Sequence, residues 1–280
     1  MKLELVSIRT DTKQPLDGLY YEPSDCEIRG SVLLFHGNCM NFYVGAPRFL
    51  PPVLTKLGLA CLAFNRRGHD ILSTRDSRVP EGAAFQTSNE MVADNRFAAE
   101  WLAREKGHRA PIIIGHSNGG MLAAQHCADH PDTPGLVLLS AHAGGRSVIE
   151  TASKTGLLAG DQFDVISAQA KALVADGRGE EMILLPGWWR IITAKSFVDI
   201  LDGLPDILEN APRIKCPSLY LRGDQEPPQL YPIEEFASRA AGPCDTLVAD
   251  NCDHFYNGVE DQIATAVASW LETSVLGSNR

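Results

Sequence analysis

The chain has 280 residues, 44% of them hydrophobic and 21% charged, a balance that fits a large packed fold and excludes a disordered, collagen-like or coiled-coil chain. Lys and Arg number 25 against 35 Asp and Glu, a formal net charge of -10. No basic cluster offers the counterion release that a phosphate backbone requires, so neither nucleic acid nor an anionic membrane surface is expected as a partner.

Apolar stretches such as 57–64 and 136–139 fall far short of the roughly 20 residues that span a bilayer. The opening Met1-Lys2-Leu3-Glu4-Leu5 carries an early glutamate and period-two alternation where a secretory signal is uninterruptedly apolar, so a cytoplasmic protein is expected. The seven cysteines are odd in number, scattered and without a C-x-x-C pair, and they read as free thiols. A homo-oligomer stays open.

In chain order, residues 1–21 alternate apolar and polar positions, with Asp17-Gly18 as a turn signal, which predicts an antiparallel hairpin at a sheet edge. From residue 31 onward, short apolar runs alternate with helix-period segments, the pattern of an α/β fold with a mostly parallel sheet and helices on both faces. The strand candidates are 31–35, 60–64, 112–114, 136–139, 218–221 and 246–248. Helices are expected over 91–104, with Ser88 near its start and Glu90 off the capping-box position, and over 262–271. The stretch 144–210 breaks this rhythm: it carries helix-like pieces, Trp188-Trp189 beside Pro186-Gly187, and little that reads as strand. It is read as a helical lid (cap) inserted between core segments 1–143 and 211–280.

The chemistry concentrates where the apolar run 112–114 passes through Gly115-His116-Ser117-Asn118-Gly119 into an alanine-rich helix. A sharp strand-to-helix turn strains its central residue and leaves no room for bulk two positions either side, which Gly115 and Gly119 satisfy. Ser117 would stand over a helix N-terminus, where the dipole favours developing negative charge. A serine hydroxyl needs a general base oriented by a carboxylate, in the chain order Ser, acid, His. After His142 the chain contains one histidine, His254, which is therefore the expected base. The acid should follow a strand, and Arg222-Gly223-Asp224-Gln225-Glu226 offers two; Glu226 is preferred, with Asp224 as the alternative, while Leu136–Leu139 is followed by no carboxylate. Oxyanion donors are expected at Asn118 and, after His36-Gly37, at Asn38.

With His36-Gly37-Asn38, Asn65-Arg66-Arg67-Gly68, the Ser117 elbow, Gly223-Asp224-Gln225-Glu226 and Asp253-His254-Phe255 in view, the sequence resembles the α/β-hydrolase superfamily over nearly its whole length. Similar proteins commonly read Gly-x-x-Asp at the acid loop, which points to Glu226 with Glu for Asp, and carry Asp where Asn65 shapes a loop near the site. Haloalkane dehalogenases and epoxide hydrolases of this fold use an Asp nucleophile, so Ser117 argues against both. The resemblance implies a cofactor-independent serine hydrolase, with no metal, acting on a small ester-type substrate. Carboxylic esters come first, with thioesters, lactones, C–C bond cleavage and acyl transfer as alternatives. A lyase, a cofactor-free oxygenase or a non-catalytic binding protein on the same fold stand further off. Trp188, Trp189, Leu184 and Leu185 are the substrate-binding candidates and favour an apolar group.

Overall fold

The computed structural model describes residues 1–74, 79–187 and 190–277. Trp188 and Trp189 lie outside the described residues. In chain order the strands are β1 (Lys2–Ile8), β2 (Leu16–Glu22), β3 (Gly30–Phe35), β4 (Leu59–Phe64), β5 (Ile112–His116), β6 (Leu136–Leu139), β7 (Met182–Leu185), β8 (Arg190–Thr193), β9 (Ser218–Gly223) and β10 (Cys244–Ala249). All but β7 and β8 form one sheet in the order β1-β2-β4-β3-β5-β6-β9-β10. Pairing is parallel from β4 to β10 and antiparallel at β1 and β2. β4, β5, β6 and β9 are buried at every position, because helices cover both faces and leave no side of these strands to water.

The helices Ser88–Lys106 and Asn118–Asp129 cover one face, where Leu33, Phe35, Trp101, Leu102, Met121 and Leu122 pack together. The helix Glu260–Trp270 and the short helices Ala46–Phe49 and Pro51–Leu54 cover the other, over Val32, Leu34, Ile112, Ile114, Val137 and Leu139. The chain leaves β3 for β4 on one side and β5 for β6 on the other. A crevice therefore opens between the carboxyl ends of β3 and β5, where such sheets bind ligands. Among the described residues no helix is long and apolar enough to cross a membrane.

Three sequence expectations are corrected. Asp17-Gly18 is not the hairpin turn: both residues lie inside β2, and Gly18 is small because a Cβ there would come within 2.9 Å of the Ala63 carbonyl oxygen on β4. The turn lies nearer the strand β1, where the Thr10 and Thr12 hydroxyls both donate to the Gln14 carbonyl. The helix Ser88–Lys106 is capped by Thr87, which puts Glu90 at the third position after all, its carboxylate accepting from the Thr87 N–H at 2.8 Å.

The third correction concerns 144–210, which is not wholly helical. Helices Gly145–Lys154, Phe163–Ala175 and Ala194–Gly203 surround an antiparallel hairpin of β7 and β8, two four-residue strands too short to announce themselves by alternation. This segment has its own small core, including Ile166, Ile183, Leu185, Ile192, Phe197 and Ile200. It is stitched to the rest of the chain: Thr193 N–H donates to the Ala84 carbonyl, Ile207 N–H to the Ala143 carbonyl, and the Ser88 hydroxyl to Asp199 at 2.6 Å.

Candidate active site

The turn between β5 and the helix Asn118–Asp129 is a single residue, Ser117, with φ 56 and ψ -120. A non-glycine residue in that region costs of order 1–3 kcal/mol and persists only where the surroundings impose it. Here they do: a Cβ on Gly115 would sit 2.2 Å from the Gly119 carbonyl oxygen, and one on Gly119 would sit 2.2 Å from that of Phe35. Backbone meets backbone at both positions, so neither contact can relax by a side-chain rotation. Gly119→Ala is accordingly expected to destabilise the fold by about 3 kcal/mol, read as a lowered urea midpoint at unchanged slope.

The Ser117 Oγ lies 3.0 Å from Nε2 of His254, and Nδ1 of His254 lies 2.6 Å from Oε1 of Glu226. With Nδ1–H directed at the carboxylate, Nε2 is left as the acceptor for the Ser117 hydroxyl. Glu226 is 5% exposed, and its second oxygen accepts from the Ser140 hydroxyl at 2.5 Å and the Gly223 N–H at 2.7 Å. Tyr256 in turn donates to Ser140 at 2.7 Å. Three donors therefore converge on this buried carboxylate, one on the oxygen facing His254 and two on the other.

Asp224, the other acid candidate, has a different task. Its carboxylate accepts the Asn251 and Cys252 N–H groups, each at 2.9 Å, and so ties down the loop that carries His254. Those backbone hydrogen bonds hold its carboxyl below the ordinary value. The same loop is held from inside by His116, whose Nε2 donates to the His254 carbonyl at 2.8 Å while the two rings lie 4.9 Å apart. Burial first, and the neighbouring His254 second, push His116 down to about 3, so it is neutral with its proton on Nε2.

Asn118 opens its helix, so its N–H has no intrahelical acceptor. Asn38 lines the same cavity as Ser117, Asn118 and His254. Gly37 lets the Asn38 loop approach: a Cβ there would lie 2.7 Å from Met40 Sδ and 3.3 Å from Ser117 Cβ. The loop is braced by buried Arg66, whose guanidinium donates to the His36 carbonyl at 2.6 Å, and by Asn65, which accepts the Phe42 N–H at 2.9 Å.

The cavity holds about 170 Å³ and is walled on the far side by the 144–210 segment, through Ile149, Leu158, Leu185, Ile192, Ile200 and Leu204. Leu184 does not line it: β7 alternates, and Leu184 is 55% exposed while Leu185 is buried. Polar lining comes from Gln86, His142, Tyr231 and Arg190. Tyr231 reaches Nδ1 of His254 at 3.3 Å. Ser140, Tyr256, His116 and Tyr231 were invisible as site residues in the sequence. Ser140 alone carried a hint, since it follows the second strand from which an acid can come, and it supports the Glu226 carboxylate there instead of replacing it. Among the described residues, no group of three or more His, Cys, Asp or Glu is disposed to hold a metal ion.

The chain is similar to solved structures of hydrolases. Est1E from Butyrivibrio proteoclasticus is 17% identical, covers 97% of this chain and 98% of its own, and superposes with a TM-score of 0.72; a second structure of Est1E holds ferulic acid. A thermostable carboxyl esterase from Bacillus coagulans is 17% identical over 98% of this chain and 99% of its own, with a TM-score of 0.71. A dienelactone hydrolase from Anabaena variabilis is 16% identical over 98% of both chains, with a TM-score of 0.62. At these identities the likeness is one of fold. No curated protein matches the sequence. The alpha/beta hydrolase fold family matches residues 30–183, more than half of the chain, and the protein belongs to that family.

Proposed function

We propose that the protein is a serine hydrolase that cleaves carboxylic esters through an acyl-enzyme intermediate. The observation that carries this reading is the continuous relay from Ser117 Oγ through His254 to the buried Glu226, at 3.0 and 2.6 Å. His254 takes the hydroxyl proton through Nε2 as Ser117 Oγ bonds to the ester carbonyl carbon, and Glu226 stabilises the imidazolium. The carbonyl oxygen gains the negative charge at the helix N-terminus, where the Asn118 N–H and the Asn38 N–H act as its donors. Collapse of this intermediate breaks the ester C–O bond, and His254 passes its proton to the departing alcohol. Water, deprotonated by His254, then attacks the acyl-serine and releases the acid. The segment 144–210 serves as a lid whose apolar wall favours an apolar acyl or alcohol chain and keeps bulk water off the intermediate. Neighbours named as esterases support the choice of ester.

A fluorophosphonate probe tests this reading, because it phosphonylates only an activated serine. One equivalent is expected to add to the intact chain, at Ser117, with parallel loss of 4-nitrophenyl ester hydrolysis. An unlabelled wild-type protein, or a Ser117→Ala variant that still labels, overturns it.

A further inference from the structure

We infer that the substrate carries a carboxylate, held in the active-site cavity by Arg190. This deepens the hydrolase reading, on which the word substrate rests, but the cation itself is an independent observation. Arg190 opens β8, lines the cavity beside Ser117 and His254, and is 9% exposed. No Asp or Glu is among the residues lining that cavity, so Arg190 is the one permanent charge there among the described residues. Its Nη1 donates to Cys39 Sγ at 3.6 Å, a weak acceptor on the residue next to Asn38.

Other arginines of this acidic chain are partnered differently. Arg67, Arg146, Arg178, Arg213 and Arg239 each meet a carboxylate although most are half-exposed. Buried Arg66 and Arg222 donate to backbone carbonyls instead, although Nε and Nη1 of Arg66 and Nε of Arg222 are closed off without a partner. Arg190 has neither among the described residues. The Arg190 nitrogens that lack a protein partner are not closed off from solvent, so they are open to an incoming anion, and a chain with ten surplus acids has placed none of them on this guanidinium among the described residues. The arrangement is explained when the anion arrives with the ligand. A guanidinium fork matches a carboxylate bidentately, and the apolar remainder of a cavity of about 170 Å³ fits the short aliphatic chain that would link it to the ester.

The test measures binding apart from turnover. Ser117→Ala protein is titrated calorimetrically with monomethyl glutarate, which bears its carboxylate on the acyl side, and with 4-acetoxybutanoate, which bears it on the alcohol side. Methyl pentanoate and butyl acetate are the neutral counterparts. At least one acid ester is expected to bind tenfold or more tighter than its neutral counterpart. Adding Arg190→Met should abolish that preference, and Arg190→Lys should retain part of it in a protein of unchanged circular dichroism. Equal binding of acid and neutral esters, or a preference that survives Arg190→Met, overturns the inference. Because no bond is broken in this assay, a carboxylate preference without fluorophosphonate labelling of wild type would sink the hydrolase reading alone, and labelling without the preference would sink this one alone.

Discussion

Glu226→Gln lowers kcat for a 4-nitrophenyl ester by about 10³- to 10⁴-fold, while Asp224→Asn keeps it within about tenfold of wild type. The first expectation follows from donors and acceptors. Glu226 faces His254 Nδ1 with one oxygen and receives Ser140 and the Gly223 N–H with the other. An amide supplies only one oxygen. Turned toward Gly223 and Ser140, it presents its NH₂ to Nδ1 and drives the imidazole to the tautomer with its proton on Nε2, facing Ser117, where it cannot act as a base. Turned the other way, it sets NH₂ against the Gly223 N–H in a buried site, an unsatisfied pair that shifts the loop. Either rotamer disables the relay. Asp224→Asn preserves one acceptor for the Asn251 and Cys252 N–H groups and leaves the imidazole's carboxylate untouched. Steady-state kinetics on the two variants decide it: equal losses, or a Glu226→Gln variant within tenfold of wild type, would exclude Glu226 as the acid.

Two buried histidines, His116 and His126, together remove about 4 kcal/mol of fold stability between pH 7.5 and pH 5. Burial, with a smaller contribution from His254, pushes His116 down to about 3; burial, with a smaller contribution from His130, pushes His126 down to about 4. Both are nearly closed to solvent. Their folded values lie below the unfolded value of 6.5, so under pH 6.5 the unfolded chain binds protons that the native state refuses. Their contribution to stability is complete above pH 6.5 and is lost progressively as the pH drops toward the folded values. At pH 5 the pH itself is about 1.5 units below the unfolded value and still above both folded values, which is about 2 kcal/mol per histidine. His36 and His142, also lowered chiefly by burial, act in the same direction. His69 acts in the opposite one: burial lowers it, but its hydrogen bonds to the Glu81 and Asp70 carboxylates outweigh that and raise it, so it offsets part of the loss. Carboxylates whose values are lowered in the fold start to count only nearer pH 4, and buried Asp94, raised chiefly by its burial, offsets part of the loss as the pH falls. Urea unfolding at pH 7.5, 6 and 5 reads the slope directly, and His126→Leu should remove its own share; a midpoint constant from pH 7.5 to 5 would contradict the assignment of these rings as buried and neutral.

What the sequence determined by itself was local or unique. The elbow was legible because strand, glycine pair and alanine-rich helix are contiguous; the obstacle to a side chain at Gly115 lies within the elbow itself, whereas at Gly119 it is the Phe35 carbonyl on β3, brought there by the sheet. His254 was legible because the required chain order left no other histidine. The alternation of buried runs with helical segments was enough for the α/β class, since parallel neighbours need long crossover connections and these are usually helices. Tertiary structure decided everything that depends on which way a side chain faces after distant segments meet. Glu226 and Asp224 are two residues apart in one loop, and only the turn after β9 directs one at the imidazole and the other at the backbone of the 251–252 segment. Leu185 lines the cavity and Leu184 does not, because a hairpin too short for periodicity to reveal sets their faces. Ser140, His116, Tyr256 and Arg190 gained their contacts across separations of 86, 138, 116 and 151 residues. No local pattern encodes such contacts, because their energy exists only once the sheet has brought the strand ends together.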